Sequence, residues 1–177
     1  FHELYLITDE GIIDLLLATP VAQKLPYEPI WLMIVGASSS GKTEFITSLN
    51  KVHGIYPISN LTPHTFLSGQ KNKNVETSLL LRLENGIITF KDFTSMLSMN
   101  KDERQEIMAQ LREIYDGSLT KDLGTGEKKV WRGKMGLIAG ATTAIASGCV
   151  AAPAAPTVQK DSMASTSTWD VQREKWR

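Results

Sequence analysis

The hydrophobic positions of this chain come in short runs divided by polar, proline and glycine breaks. Ile30-Trp31-Leu32-Met33-Ile34-Val35 is apolar throughout. A run of strand length that is apolar on both faces predicts a central parallel strand covered on each side. A helix is expected from about Gly41 to Val52. Ile55 to Leu61 reads as a second strand, cut by Pro57, and Val75 to Leu83 has helical character. Ile87-Ile88-Thr89-Phe90 reads as another buried strand, entered after Gly86 and ending at Asp92. Lys101 to Tyr115 carries Ile107, Met108, Leu111, Ile114 and Tyr115 at helical spacing, the clearest amphipathic helix in the chain.

Before the first strand, about Thr8 to Thr19 reads as a helix capped by Asp9, with Ile12, Ile13, Leu15, Leu16 and Leu17 as its apolar face. Pro20, Pro26 and Pro29 then break regular structure. Gly117, Gly124 and Gly126 mark a turn-rich stretch. Lys128 to Arg132 and Met135 to Ala139 read as two strands joined by a tight turn at Gly133. From about Ala141 to Thr168 the composition shifts to Ala, Ser, Thr and Pro without periodicity, which reads as a linker or poorly ordered tail. The expected divisions are a helix and lead-in over 1–29, a core over 30–146 and a tail over 147–177. Alternating strands and helices in the core predict an α/β fold with a mainly parallel sheet.

Composition changes this picture little. With 19 basic and 19 acidic side chains the formal net charge is zero, so the bulk charge gives no support for a dedicated nucleic-acid-binding domain. The single cysteine, Cys149, excludes a disulfide framework within the chain and fits a reducing cytosol. No apolar run approaches the roughly 18 residues of a membrane span, and no signal-peptide pattern precedes Ile12, so a cytoplasmic protein without a membrane partner is expected. The chain opens on Phe1 rather than methionine and reads as a piece of a longer protein.

The chemistry is concentrated in Gly36-Ala37-Ser38-Ser39-Ser40-Gly41-Lys42-Thr43, a complete G-x-x-x-x-G-K-[ST] pattern between an apolar strand and a helical segment. Gly36 and Gly41 permit backbone angles that a side chain would obstruct. Successive N–H groups then turn inward as an anion nest, backed by the helix N-terminus. Lys42 is placed to neutralise the β- and γ-phosphates, and the Thr43 hydroxyl to ligate Mg2+. The three serines keep the loop small and polar, and Glu44 follows directly. The expected ligand is a nucleoside triphosphate. No Asn-Lys-x-Asp guanine-reading pattern occurs, which favours ATP over GTP. The fold expected with such a loop is the P-loop NTPase three-layer α/β/α sandwich.

A nucleotide-bound Mg2+ calls for a carboxylate at the end of a neighbouring strand, and Asp92 is so placed; the competing reading is a surface aspartate at a strand end. Phe93 follows it rather than glutamate, which leaves the catalytic base unassigned; Glu44, Glu76 and Glu84 qualify by residue type only. Leu137-Ile138-Ala139-Gly140-Ala141-Thr142-Thr143 has the form of a core strand ending in hydroxyls, whose threonines also suit a helix cap. Lys121, Lys128, Lys129, Arg132 and Lys134 outnumber Asp122 and Glu127, so the Lys128–Lys134 segment is either a contact for a nucleic-acid backbone or a lysine-protected strand edge.

Four pieces in order carry a resemblance: Gly36 to Thr43, Asn60-Leu61-Thr62-Pro63 to Leu67-Ser68-Gly69, Ile87 to Phe93, and Tyr115-Asp116-Gly117 through Leu137 to Thr143. Together they resemble the P-loop ATPase core of the AAA+ and helicase superfamily 3 kind, encoded by phages, plasmids and other mobile elements. The resemblance covers about Pro29 to Ile145. It implies ATP hydrolysis coupled to DNA in replication, within a ring or filament of identical subunits. It assigns Asp92 as the Walker B aspartate and Thr142 or Thr143 as the polar strand end that senses the γ-phosphate or orients water. Arg104 and Arg112, on the amphipathic helix, would reach a neighbour's nucleotide as arginine fingers, or are ordinary surface charges. A small-molecule or nucleoside kinase, with Lys121 to Lys134 as its lid, and a nucleotide-dependent regulator without turnover are the competing functions.

Overall fold

The computed structural model describes residues 11–68, 78–83, 85–122, 126, 128–143, 157–160 and 169–171, the last two segments by their backbone alone. In chain order the helices are α1 (Gly11–Ala22), α2 (Lys42–Ser48), α3 (Leu79–Arg82) and α4 (Lys101–Tyr115). The strands are β1 (Trp31–Val35), β2 (Ile55–Ile58), β3 (Ile87–Phe90), β4 (Ser118–Asp122), β5 (Lys128–Arg132), β6 (Gly136–Ala141), β7 (Thr157–Lys160) and β8 (Trp169–Val171). Two 3-10 turns, Leu49–Lys51 and Phe93–Ser98, follow α2 and β3.

The main sheet has the order β2-β3-β6-β1-β7-β8. Its pairs are parallel except β7 with β8. β1, β3 and β6 are buried along their whole length, which follows from residues apolar on both faces. Their alternation separates two cores. Leu32, Ile34, Ile87 and Ile138 pack with Ile12 and Leu16 of α1 and with Ile46 of α2. Trp31, Met33, Val35, Ile88, Phe90 and Leu137 pack with Ile107, Leu111 and Ile114 of α4 and with Leu119 and Trp131 of the β4–β5 pair. The architecture is therefore α/β, with a mainly parallel sheet between two covering layers. Trp31 ties the second layer: its indole N–H donates to the Met135 carbonyl at 2.9 Å, and its ring meets Tyr115 edge-on at 5.2 Å.

Several expectations change. The first helix continues through Pro20 to Ala22, so that proline does not end it. Tertiary anchoring overrides the break: buried Gln23, just beyond, accepts from the Ile30 amide at 3.2 Å and donates to the Asn85 carbonyl at 3.4 Å. Leu17 is 60% exposed and lies off the apolar face. Thr8 to Glu10, with Asp9, and Val75 to Thr77 lie outside the described residues. Pro57 sits within β2, which is possible because β2 is a sheet edge.

The larger correction concerns the expected hairpin. β5 and β6 are both strands, yet they do not pair across Gly133. β5 pairs antiparallel with β4, Leu119 opposite Trp131, while β6 enters the main sheet between β1 and β3. β6 is apolar on both faces and needs cover on both; β5 alternates and can bury one face only. Within the stretch expected to be a tail, β7 lies in register with β1, Met33 opposite Thr157, and β8 pairs with β7. β7 thus covers the edge that β1 would otherwise leave open on that side, and β8 in turn pairs with β7. The remaining residues of 147–177 are not among those described.

Candidate phosphate-loop site

β1 delivers the chain to the loop at its C-terminal end, and α2 leads away from it. Gly36 lies outside the left-handed region, and a Cβ there would come within 2.9 Å of the Ser40 Oγ, which would have to turn aside. Gly41, at φ 79°, occupies the left-handed region and forms the N-cap of α2 without any side-chain cap. Ser39 adopts φ 60°, an unusual conformation for a residue with a side chain. The result is a tight, exposed bend. The Glu44 and Phe45 amides donate to the Gly41 carbonyl at 3.0 and 3.3 Å, while the amides of Gly41, Lys42 and Thr43 meet no backbone acceptor among the described residues. These are the unspent donors that an anion would use.

Lys42 lies back across the loop. Its ammonium donates to the Gly36 carbonyl at 3.0 Å, to the Ala37 carbonyl and to Ser40 Oγ at 3.2 Å. The positive charge is thereby held at the mouth of the bend. Ala37, Ser38, Ser39, Ser40, Thr43 and Glu44 are all exposed there.

The second half of the site is built by β3 and β6. Asp92 lies just beyond β3 in extended conformation and is exposed; its Oδ1 accepts from the Thr94 amide at 3.0 Å, capping the turn over 93–98. Thr142 follows β6. Its amide donates to Thr94 Oγ1 at 2.7 Å, and its hydroxyl donates to the same oxygen at 3.2 Å. Because the strands are parallel and adjacent, the loop, Thr142 and Asp92 share the C-terminal edge of the sheet, β6 lying between β1 and β3. Two strand spacings separate β1 from β3, about 9–10 Å of backbone distance.

Thr43 Oγ1 and Asp92 supply oxygen donors of the kind a hard cation prefers. No group of three His, Cys, Asp or Glu that could hold a metal ion occurs among the described residues. That donor set fits Mg2+ arriving with nucleotide and water oxygens rather than one caged by protein alone.

Thr143 is exposed. Phe93, where a catalytic glutamate was sought, is 4% exposed and packs edge-on against Phe90 at 6.2 Å. Glu76 and Glu84 lie outside the described residues, and Glu44 is an exposed residue in the first turn of α2. Arg104 donates to the Leu97 carbonyl at 2.9 Å and so fastens the 93–98 turn to α4; Arg112 is exposed near the end of that helix. Sequence reasoning missed Thr94. The Asp-x-Thr spacing signals a cap, but the meeting with Thr142 depends on strand order.

The basic segment does not form one surface. Lys121 donates to the Pro63 carbonyl at 2.6 Å and pairs with Glu106 at 3.2 Å. Lys129 donates to Ser78 Oγ at 2.9 Å, and Lys134 to the Leu25 carbonyl at 2.8 Å. Partial burial lowers the Lys134 pKa, against an opposing effect of Glu28. Lys121 and Lys129 face each other across the pair, on the side that also carries Leu119 and Trp131. Lys128 and Arg132 lie on the outer face, with Asp122 opposite Lys128.

Among the described residues no helix is long and apolar enough to cross a membrane. A scan of this sequence against protein-family models finds no match, and a search of curated proteins finds none.

Proposed function

We propose that this chain is an ATP-binding P-loop ATPase domain with the P-loop NTPase fold, acting on ATP together with Mg2+. One observation carries the reading: the glycine-bounded loop after β1 shares a sheet edge with Asp92 and Thr142, and its Gly41, Lys42 and Thr43 amides meet no backbone acceptor among the described residues. In this reading the amides and the N-terminus of α2 bind phosphate oxygens, and Lys42 exchanges its loop carbonyls for the β- and γ-phosphates. Thr43 and Asp92 hold Mg2+, which supplies charge neutralisation on the phosphates when bound. Thr142 orients water or the γ-phosphate from between the two halves. Phe93 supplies no base, so turnover depends on water held by Asp92 and Thr142 and is slow for the domain alone.

The fuller form of the proposal couples hydrolysis to DNA, as in helicase-like replication proteins, within a homo-oligomer. Its support is the order of the sequence motifs. The outer face of the β4–β5 pair offers Lys128 and Arg132 to a phosphate backbone, fewer cations than the sequence advertises.

The test is phosphate release from ATP with and without single-stranded or duplex DNA. Release stimulated by DNA is the expected result. Phosphate transferred to a small acceptor, with no effect of DNA, would replace the reading with a kinase. Tight ATP binding without release would make the protein a nucleotide-dependent regulator.

A further inference from the structure

The parallel pairing of β3 with β6 ends at Phe90 opposite Ala139. Just beyond it the backbones crowd: a Cβ on Gly140 would stand 2.5 Å from the Lys91 carbonyl oxygen. β3 then turns away into the 93–98 turn, so the next amide of β6 has lost its ladder partner. Thr94 supplies the replacement. Its Oγ1 takes the Thr142 amide at 2.7 Å, where a strand would have offered a carbonyl.

The peptide group that makes this bond has a second partner. The Thr142 N–H and the Ala141 C=O belong to one trans peptide unit. That Ala141 carbonyl accepts from the Gly36 amide, the first residue of the phosphate loop, at 3.1 Å. On the far side, the Thr94 amide donates to Asp92 Oδ1 at 3.0 Å. A continuous path therefore runs from Gly36, through the Ala141–Thr142 peptide, through Thr94, to the Asp92 carboxylate. Both bonds of the shared peptide polarise it in the same direction, so each strengthens the other. Asp92 Oδ1 is spent on Thr94, and Oδ2 has no hydrogen-bond partner among the described residues.

We infer that Thr94 is a positioning residue that registers the Asp92 carboxylate and the Thr142 hydroxyl against the phosphate loop, so that Mg2+-dependent nucleotide binding requires its hydroxyl. The inference rests on the ATPase reading. Valine keeps the shape of threonine but leaves the half-buried Thr142 amide without an acceptor and frees the Thr142 side chain. Phosphate contacts made by the loop amides and Lys42 do not pass through Thr94.

The experiment measures the affinity of the full chain for a non-hydrolysable ATP analogue in EDTA and across a Mg2+ titration. In Thr94→Val, affinity in EDTA stays within about twofold of wild type, while the tightening produced by Mg2+ falls roughly tenfold, as for loss of a residue that orients a metal ligand. Thr94→Ser retains the hydroxyl and stays within about threefold of wild type. Adding Thr94→Val to Asp92→Asn produces less than the sum of the two losses, because the Thr94 backbone that holds the carboxylate is itself anchored to Thr142 through the hydroxyl. Thr94→Ala serves as the second hydroxyl-free variant should valine unfold the protein. Wild-type Mg2+ dependence in a folded hydroxyl-free variant, or equal loss with and without Mg2+, would overturn the inference. The ATPase reading fails on a different result: wild-type protein that binds the analogue no more tightly than Lys42→Ala does.

Discussion

The phosphate-loop edge and the β4–β5 pair are the two polar regions that the sequence marks out, and they differ in what their polar groups are already doing. Among the described residues the Gly41, Lys42 and Thr43 amides at the loop meet no backbone acceptor, and one Asp92 carboxylate oxygen meets no donor. At the strand pair, Lys121, Lys129 and Lys134 are tied to Pro63, Glu106, Ser78 and Leu25. Unspent donors on a sheet edge are available to a ligand. Donors satisfied within the chain mark a place that holds the fold. Counting charges along the sequence cannot separate the two, because a lysine is written the same way in both.

This contrast is open to breaking. Trp131→Ala should have the largest effect. It empties a position 5% exposed between the β4–β5 pair and the core, at a cost of about 3–5 kcal/mol. Chemical denaturation measures this, and the fraction that remains folded should bind nucleotide normally. Gly140→Ala comes next. Its Cβ meets the Lys91 carbonyl at 2.5 Å, so β3 and β6 must separate where the site is built. We expect a loss of about 1–3 kcal/mol, together with weakened Mg2+-dependent binding.

Lys129→Ala should cost about 1 kcal/mol by removing one of the hydrogen bonds to the fully buried Ser78 hydroxyl, which keeps its bonds to the Ser68 backbone. Lys128→Ala and Arg132→Ala should stay within about 0.5 kcal/mol of wild type in stability. They should reduce any DNA stimulation of phosphate release; equal destabilisation by all three would erase the distinction between inner and outer faces.

The smallest effect is a pH dependence. Burial raises the Tyr115 pKa above its ordinary 10.0, and Glu28 and Asp116 add to it. A folded pKa above the unfolded one means that the contribution is complete below about pH 10 and is lost as pH rises through the folded pKa. Tyr115→Phe should therefore flatten the fall in stability at alkaline pH, as followed by denaturation at a series of pH values.

The elements that were legible in advance are those whose physics is local. The Gly36–Thr43 loop announces itself by its spacing, and of its two glycines Gly41 alone adopts the left-handed conformation that favours glycine. β1, β3 and α4 follow from apolar period alone. β4 was hidden because Ser118-Leu119-Thr120-Lys121-Asp122 has a single apolar residue, which becomes a strand only opposite β5. The partner of β6 was hidden for a related reason: period shows that a strand needs two covered faces but not which strands cover its edges. Thr94 was beyond reach because its role arises from a peptide in β6, 48 residues away.

The most direct test of the central claim is calorimetric titration of ATP with Mg2+ into wild-type protein and Lys42→Ala. Among the described residues the Lys42 ammonium bonds to its own loop alone, so the substitution should leave the melting midpoint nearly unchanged. Loss of a charge-assisted contact of roughly 1.5–3 kcal/mol should weaken ATP binding by about 10- to 100-fold. Equal affinity in the two folded proteins would contradict the assignment of Gly36 to Thr43 as a nucleotide site.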